Sequence, residues 1–265
     1  MAQRFNPRDV NFYGNLGSIG IPKLDSVIGG GIPRGFTIIA RGDPGSGMEL
    51  FAKQFISPVE DPKKTFYLST TEKDDEIRNL MQMYRWPSDL QIRAMGHEYN
   101  TRTLQRDLAA SRLRLNGFSM ADIQRLAKTR FVENVTDDYL TDLAMTVTGL
   151  GHYYRVAVDS MDFFFQRNEP ARVLSVMRLM QTHTQDNRGI LFLTHSRNVV
   201  SAGLEGEIAS LADILLDFEV HRMGTDFETR VTIKKFRNHP ENMAMIAFRV
   251  TPEEGITPET VERIA

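Results

Sequence analysis

The chain is 265 residues long, 41% hydrophobic and carries a net charge of −2, which suits one α/β domain with elaborations. It has no cysteine, which excludes disulfides and thiolate metal sites, and its near-balanced charge excludes a globally basic nucleic-acid binder. No apolar span is long enough for a membrane helix and no charged-then-apolar leader opens the chain, so a cytoplasmic protein without membrane insertion is expected.

Residues 1–16 are polar and irregular and are expected to form a tail or an edge segment. In the stretch that follows, Leu24, Val27 and Ile28 make one turn of apolar face. Gly29, Gly30, Gly31 and Pro33 then force a sharp re-entry into the run Phe36-Thr37-Ile38-Ile39-Ala40, which predicts a buried strand. A glycine-rich turn comes next, Gly42-Asp43-Pro44-Gly45-Ser46-Gly47, and Leu50, Phe51, Gln54 and Phe55 follow at helical spacing. Strand, glycine loop and helix are the parts of a phosphate-binding P-loop, in which backbone N–H groups and a helix N-terminus cradle an anion. An ordinary strand-to-helix turn would read the same way.

The loop fits the pattern G-x-x-x-x-G-K-[ST] at both glycines and departs from it at both chemical positions. Met48 stands where a lysine reaches the β- and γ-phosphates, and Glu49 where a hydroxyl binds Mg²⁺. A carboxylate about 5 Å from a phosphate charge, at an effective dielectric of about 20, costs roughly 3 kcal/mol. Glu49 can also sit on the helix N-terminus itself, the place a phosphate would take.

Downstream, 64–69 predicts a second strand, and 72–86 an amphipathic helix with Ile77, Leu80, Met81 and Tyr84 on one face. Between Thr101 and Arg130 there are seven Lys/Arg against two Asp, with two short helices expected around Asn116-Gly117. That run is either a solvated helix face or a surface for DNA or an acidic partner, although no interleaved aromatics are present to stack bases. Asp137 or Asp138 is placed to cap a helix through Thr148. Residues 155–160 predict a buried strand ending in the acid Asp159, 173–183 a helix, and 189–195 a further strand ending at His195, which either senses phosphate, gathered with Gly42, Glu72 and Asp159 at the strand ends, or is a hydrogen-bonded strand-end residue. Three antiparallel strands are expected at 214–221, 229–236 and 243–250, with a hairpin turn at 223–226. The six histidines show no metal-ligand spacing.

The lead-in G-I-x-x-L-D-x-x-I-G-G-G-I-P-x-G before the loop, the strand VAVDS, and the C-terminal run containing Lys235-Phe236-Arg237 resemble the KaiC/RadA branch of the RecA-like ATPases. The likeness is greatest to the single-domain archaeal KaiC-like proteins, and it covers roughly 17–95 and 150–258. It implies a RecA-like α/β fold at 17–258, with a mainly parallel central sheet, C-terminal antiparallel strands and a helical insertion at about 96–150. Residues 259–265 are left as a C-terminal tail. It implies further that residues 42–49 line a nucleotide and that Asp159 holds Mg²⁺ through water. Lys235 and Arg237 would then reach the γ-phosphate of a neighbouring subunit, unless they only protect a sheet edge. Glu72 is what remains of a pair of water-activating glutamates, Thr71 standing in the other place; it is equally suited to a first helical turn.

Departures at Met48, Glu49 and Thr71 together point to a degenerate Walker A motif and a pseudo-ATPase that regulates or scaffolds, as in signalling. ATP or ADP with Mg²⁺ is then expected to bind weakly or not at all. Two other readings remain: a nucleotide-binding switch with little hydrolysis, and a recombination-mediator-like protein on DNA. A homo-oligomer, as a ring or a dimer, and an unidentified protein partner are compatible with the fold.

Overall fold

The computed structural model describes residues 16–116, 138–223 and 226–263. Two short strands, β1 (Leu16–Gly17) and β2 (Ile32–Pro33), pair as a ribbon around helix α1 (Pro22–Val27). The chain continues through β3 (Thr37–Gly42), α2 (Met48–Ile56), β4 (Thr65–Ser69), α3 (Asp74–Met83), β5 (Gln91–Ala94) and α4 (Met95–Asn116). After residue 138 come α5 (Tyr139–Thr148), β6 (Arg155–Asp159), α6 (Asp162–Phe165), α7 (Pro170–Asp186), β7 (Ile190–Ser196) and α8 (Ala202–Leu211). Four strands close the fold: β8 (Ile214–Met223), β9 (Asp226–Phe236), β10 (Ala244–Thr251) and β11 (Gly255–Arg263).

Nine strands form one sheet in the order β11-β10-β9-β8-β3-β7-β6-β4-β5. The six from β8 to β5 run parallel, and β9, β10 and β11 return antiparallel. The sheet is covered on both faces, so the middles of its central strands are runs of apolar side chains, with polar residues such as Arg155 and Asp159 at their ends. Ile38 and Ala40 of β3 and Ala157 of β6 join the core that holds Phe51, Phe55 and Ile77 from α2 and α3. Ile39, Val156 and Val158 join the opposite core, with Leu140 and Leu143 of α5 and Met177 and Met180 of α7. Under α2, Phe192 stacks against Phe51 and Phe55 at ring separations of 5.8 and 4.8 Å. Such pairs add about 0.5–1.5 kcal/mol each beyond their burial. No helix among the described residues is long and apolar enough to cross a membrane.

One expectation changes, and two others are met in part among the described residues. The antiparallel extension holds a further strand, so residues 259–263 lie in β11 and not in a tail. The cause is a turn at 252–255 in which Gly255 takes a φ of 73°, doubling the chain back so that Ile256 and Thr257 are buried. The first helix of the 96–150 segment, α4, starts as early as Met95; the second expected helix lies outside the described residues. Met223 pairs with Asp226 at the expected hairpin, whose tip at 224–225 also lies outside them. Strand β5, helix α8 and the β1–β2 ribbon were not legible, being short or weakly patterned.

Candidate functional site

The loop after β3 has the backbone its glycines predict. Ser46 donates its N–H to the Asp43 carbonyl at 3.0 Å, and Gly47, at φ 82°, caps α2 without any side-chain cap. A Cβ on Gly42 would lie 2.6 Å from the Ser46 hydroxyl and 2.8 Å from Phe218, so only glycine fits there. Asp43, Pro44 and Gly45 are exposed at the tip, whereas Ser46 is fully buried and its hydroxyl has no hydrogen-bond partner among the described residues.

Met48 does not face the loop's mouth. It is 1% exposed and packs in the core with Phe51 and Phe55, so the first helical position is spent on apolar burial. Glu49 is half-buried, and that burial is the main force raising its carboxyl above the ordinary range. A hydrogen bond from its own backbone opposes the rise, the charges of Asp159 and Glu72 add to it, and Lys53 moderates it.

Beneath α2 the strand pleat decides which side chains meet. Asp159 at the end of β6 shares its face with Ala157; Tyr67 of β4 and Thr194 of β7 fall on that same face. Asp159 is 2% exposed and well supplied with donors: the Tyr67 hydroxyl donates to Oδ2 at 2.6 Å and the Thr194 hydroxyl to Oδ1 at 2.8 Å. Burial, reinforced by the Asp159 charge, pushes the Tyr67 hydroxyl well above its usual value, so it stays a donor. The cation of the site is Lys53, itself 2% exposed. Its Nζ lies 2.5 Å from Glu72 Oε2, 3.8 Å from Asp159 Oδ2 and 3.4 Å from the Glu49 carbonyl.

Glu72 precedes α3, whose N-cap is Lys73, and its amide donates to the Ser69 hydroxyl at 2.9 Å. Glu72 therefore occupies no helical first turn; its carboxylate is turned to Lys53. Asp159 and Glu72 thus come together as the pattern predicts, and Glu49 is coupled to both through their charges. Lys53 was missed. Periodicity registered the apolar face of α2, but not that the segment Phe51–Ile56 is buried all round, which obliges a lysine within it to find carboxylates.

Other candidates lie elsewhere. His195 points to the opposite face, where burial lowers its basicity and the hydrogen bond with the Ser196 carbonyl, then the charges of Asp162 and Glu205, partly restore it; Thr194 is the β7 residue that meets Asp159. Arg41, Arg197 and Lys234 beside the loop all pair with the buried Asp217. Burial pushes that carboxyl up, but their combined hydrogen bonds outweigh it and hold it below the ordinary range. Lys235 and Arg237 sit at the sheet end where β3 and β8 begin, away from their own loop. Lys235 donates to the Ser210 carbonyl at the end of α8 (2.9 Å), and Arg237 pairs with buried Asp213 at 2.7 Å over the ring of Phe36.

The parallel sheet, the strand–loop–helix at its centre and the acid at the end of β6 define a RecA-like P-loop domain. Solved structures agree on the fold. A KaiC-like protein of Pyrococcus horikoshii OT3 superposes with a TM-score of 0.61 at 19% identity, covering 93% of this chain and 99% of that one. The flagellar accessory protein FlaH of Methanocaldococcus jannaschii gives 0.64 at 17% identity, covering 93% and 100%. The chain belongs to the KaiC family of ATPases, its residues 17–260 matching the family described as "ATPase: KaiC". A UPF0273 protein of Aeropyrum pernix is 23% identical over 251 residues, which is 92% of this chain and 94% of that relative. One from Methanopyrus kandleri is 31% identical over 70 residues, 26% of this chain and only 28% of that relative.

The family implies ATP with Mg²⁺, and the residues present do not fit that pair. The lysine position is packed into the core as Met48, the hydroxyl position is the carboxylate of Glu49, and Asp159 and Glu72 already share an ammonium. Among the described residues, no group of three or more His, Cys, Asp or Glu side chains is arranged to hold a metal ion.

Proposed function

We propose that this chain is a KaiC-family domain that does not hydrolyse ATP and acts as a regulatory or scaffolding protein. The burial of Met48 carries the reading: the residue from which the motif's lysine would reach the β- and γ-phosphates contributes to the core instead. Glu49 adds a carboxylate at the start of α2, opposing a phosphate by roughly 3 kcal/mol at about 5 Å and an effective dielectric of about 20.

One observation favours a second reading, a switch that holds nucleotide without turnover. The loop keeps left-handed glycines at 45 and 47 and the close approach at Gly42, so the backbone shape of an anion cradle survives. Calorimetric titration with ATP and ADP, with and without Mg²⁺, separates the two. No heat at millimolar nucleotide supports the scaffold. A Kd tighter than about 100 μM, worth about 5.5 kcal/mol, without hydrolysis supports the switch. Hydrolysis by the wild type would overturn both. Met48→Lys combined with Glu49→Thr is expected to raise ATP affinity, and no gain would mean that the loop, not its side chains, is the barrier.

A further inference from the structure

The misfit with Mg²⁺ has a positive counterpart in Lys53. This side chain leaves α2 on the buried side and ends between the two carboxylates that the family resemblance assigns to metal binding and water activation. We infer that the Lys53 ammonium is a resident cation, standing where a divalent ion would otherwise balance Glu72 and Asp159, so that the domain engages any ligand at this site independently of metal. The inference deepens the non-hydrolytic reading and rests on the same site.

Three features carry it. The ammonium is enclosed, at 2% residue exposure, so its charge is not shared with bulk water and must be answered by protein carboxylates. Its distances, 2.5 Å to Glu72 and 3.8 Å to Asp159, leave no gap for an ion between them; a divalent cation entering there would meet a full positive charge at contact range. The remaining capacity of Asp159 is directed to neutral donors, with Tyr67 on one oxygen and Thr194 on the other. A carboxylate poised for a hydrated ion keeps oxygens turned to water. This one is satisfied from within the fold.

Lys53 is not a displaced phosphate-binding lysine in this geometry. It faces the carboxylates from beneath the helix, and with Glu49 beside it the group holds three acids to one ammonium. That balance repels a polyphosphate.

The test is thermal unfolding of the full chain with Mn²⁺ as the only added probe, at constant ionic strength. The variants are Asp159→Asn, Lys53→Met, and the two combined. Wild-type Tm is expected to be unmoved by millimolar Mn²⁺. Lys53→Met should melt lower, because it leaves the carboxylates uncompensated, and Mn²⁺ at tenfold its Kd should restore about 4 °C. Adding Asp159→Asn to that background should relieve much of the loss and abolish the Mn²⁺ response. An Mn²⁺ shift in the wild type that Asp159→Asn removes would overturn the inference, as would a folded Lys53→Met protein indifferent to Mn²⁺. Should Lys53→Met fail to fold, the wild-type and Asp159→Asn measurements still decide. ATP turnover in excess chelator would sink the non-hydrolytic reading while leaving the resident cation in place. An Asp159-dependent Mn²⁺ shift without turnover would do the reverse.

Discussion

Glu49 places a half-buried carboxylate in the first turn of α2. Burial, aided by the charges of Asp159 and Glu72, raises its carboxyl above the ordinary value of 4.5. The folded state then holds that proton more tightly than the unfolded state. The ionised carboxylate destabilises the fold at neutral pH, and the penalty disappears as the pH falls below 4.5. Glu49→Gln is therefore expected to stabilise the protein near pH 7 and to be neutral near pH 4, measured by urea unfolding at both. An equal effect at the two pH values would mean that the charge is not responsible. The identities at 48 and 49 were legible because a motif with a known mechanism marks those positions. Lys53 was not legible, because its role depends on distances to residues 19 and 106 positions away in the chain.

At the scale of elements, most helix and strand positions followed from local chemistry. Asp138 is a clear case: its carboxylate accepts the Thr141 amide at 3.2 Å, capping α5, and it also pairs with Arg172 of α7. Burial would raise its pKa, but the bonds from Thr141 and Arg172 outweigh that and lower it, so it is ionised when it caps. Asp138→Ala should cost about 1 kcal/mol, the usual value of an N-cap. Asp138→Asn, which keeps an acceptor for the Thr141 amide, should cost less in the same thermal unfolding series. Equal losses would assign the effect to the Arg172 pair alone. Strand β11 escaped notice for a different reason. Its polar residues make no apolar alternation, and the strand exists because β10 pairs with it and because Gln54 of α2 accepts the Ile256 amide at 2.7 Å.

For the whole molecule, the sheet order separates the two sets of residues that the family resemblance unites. Asp159 and Glu72 gather with Lys53 beneath α2, whereas Lys235 and Arg237 lie at the opposite end of the sheet, engaged with α8 and Asp213. Arg237→Ala should therefore lower stability by about 2 kcal/mol even in nucleotide-free protein, since Asp213 loses its charged partner. Urea unfolding checks this. If stability is unchanged while nucleotide binding by an assembled form falls, the residue serves a neighbouring subunit and not its own core.

The sequence by itself determined the strand–loop–helix, the parallel α/β class, and the presence of Met48 and Glu49 after the loop glycines. Each depends on residues within one turn or one strand of each other, where spacing and side-chain chemistry are enough. Only the tertiary structure decided which side chains meet beneath α2. The pleats of three strands and the buried face of one helix bring Lys53, Glu72, Asp159, Tyr67 and Thr194 together from across the chain. Around the enclosed Lys53, charges must be answered by whichever groups the packing delivers.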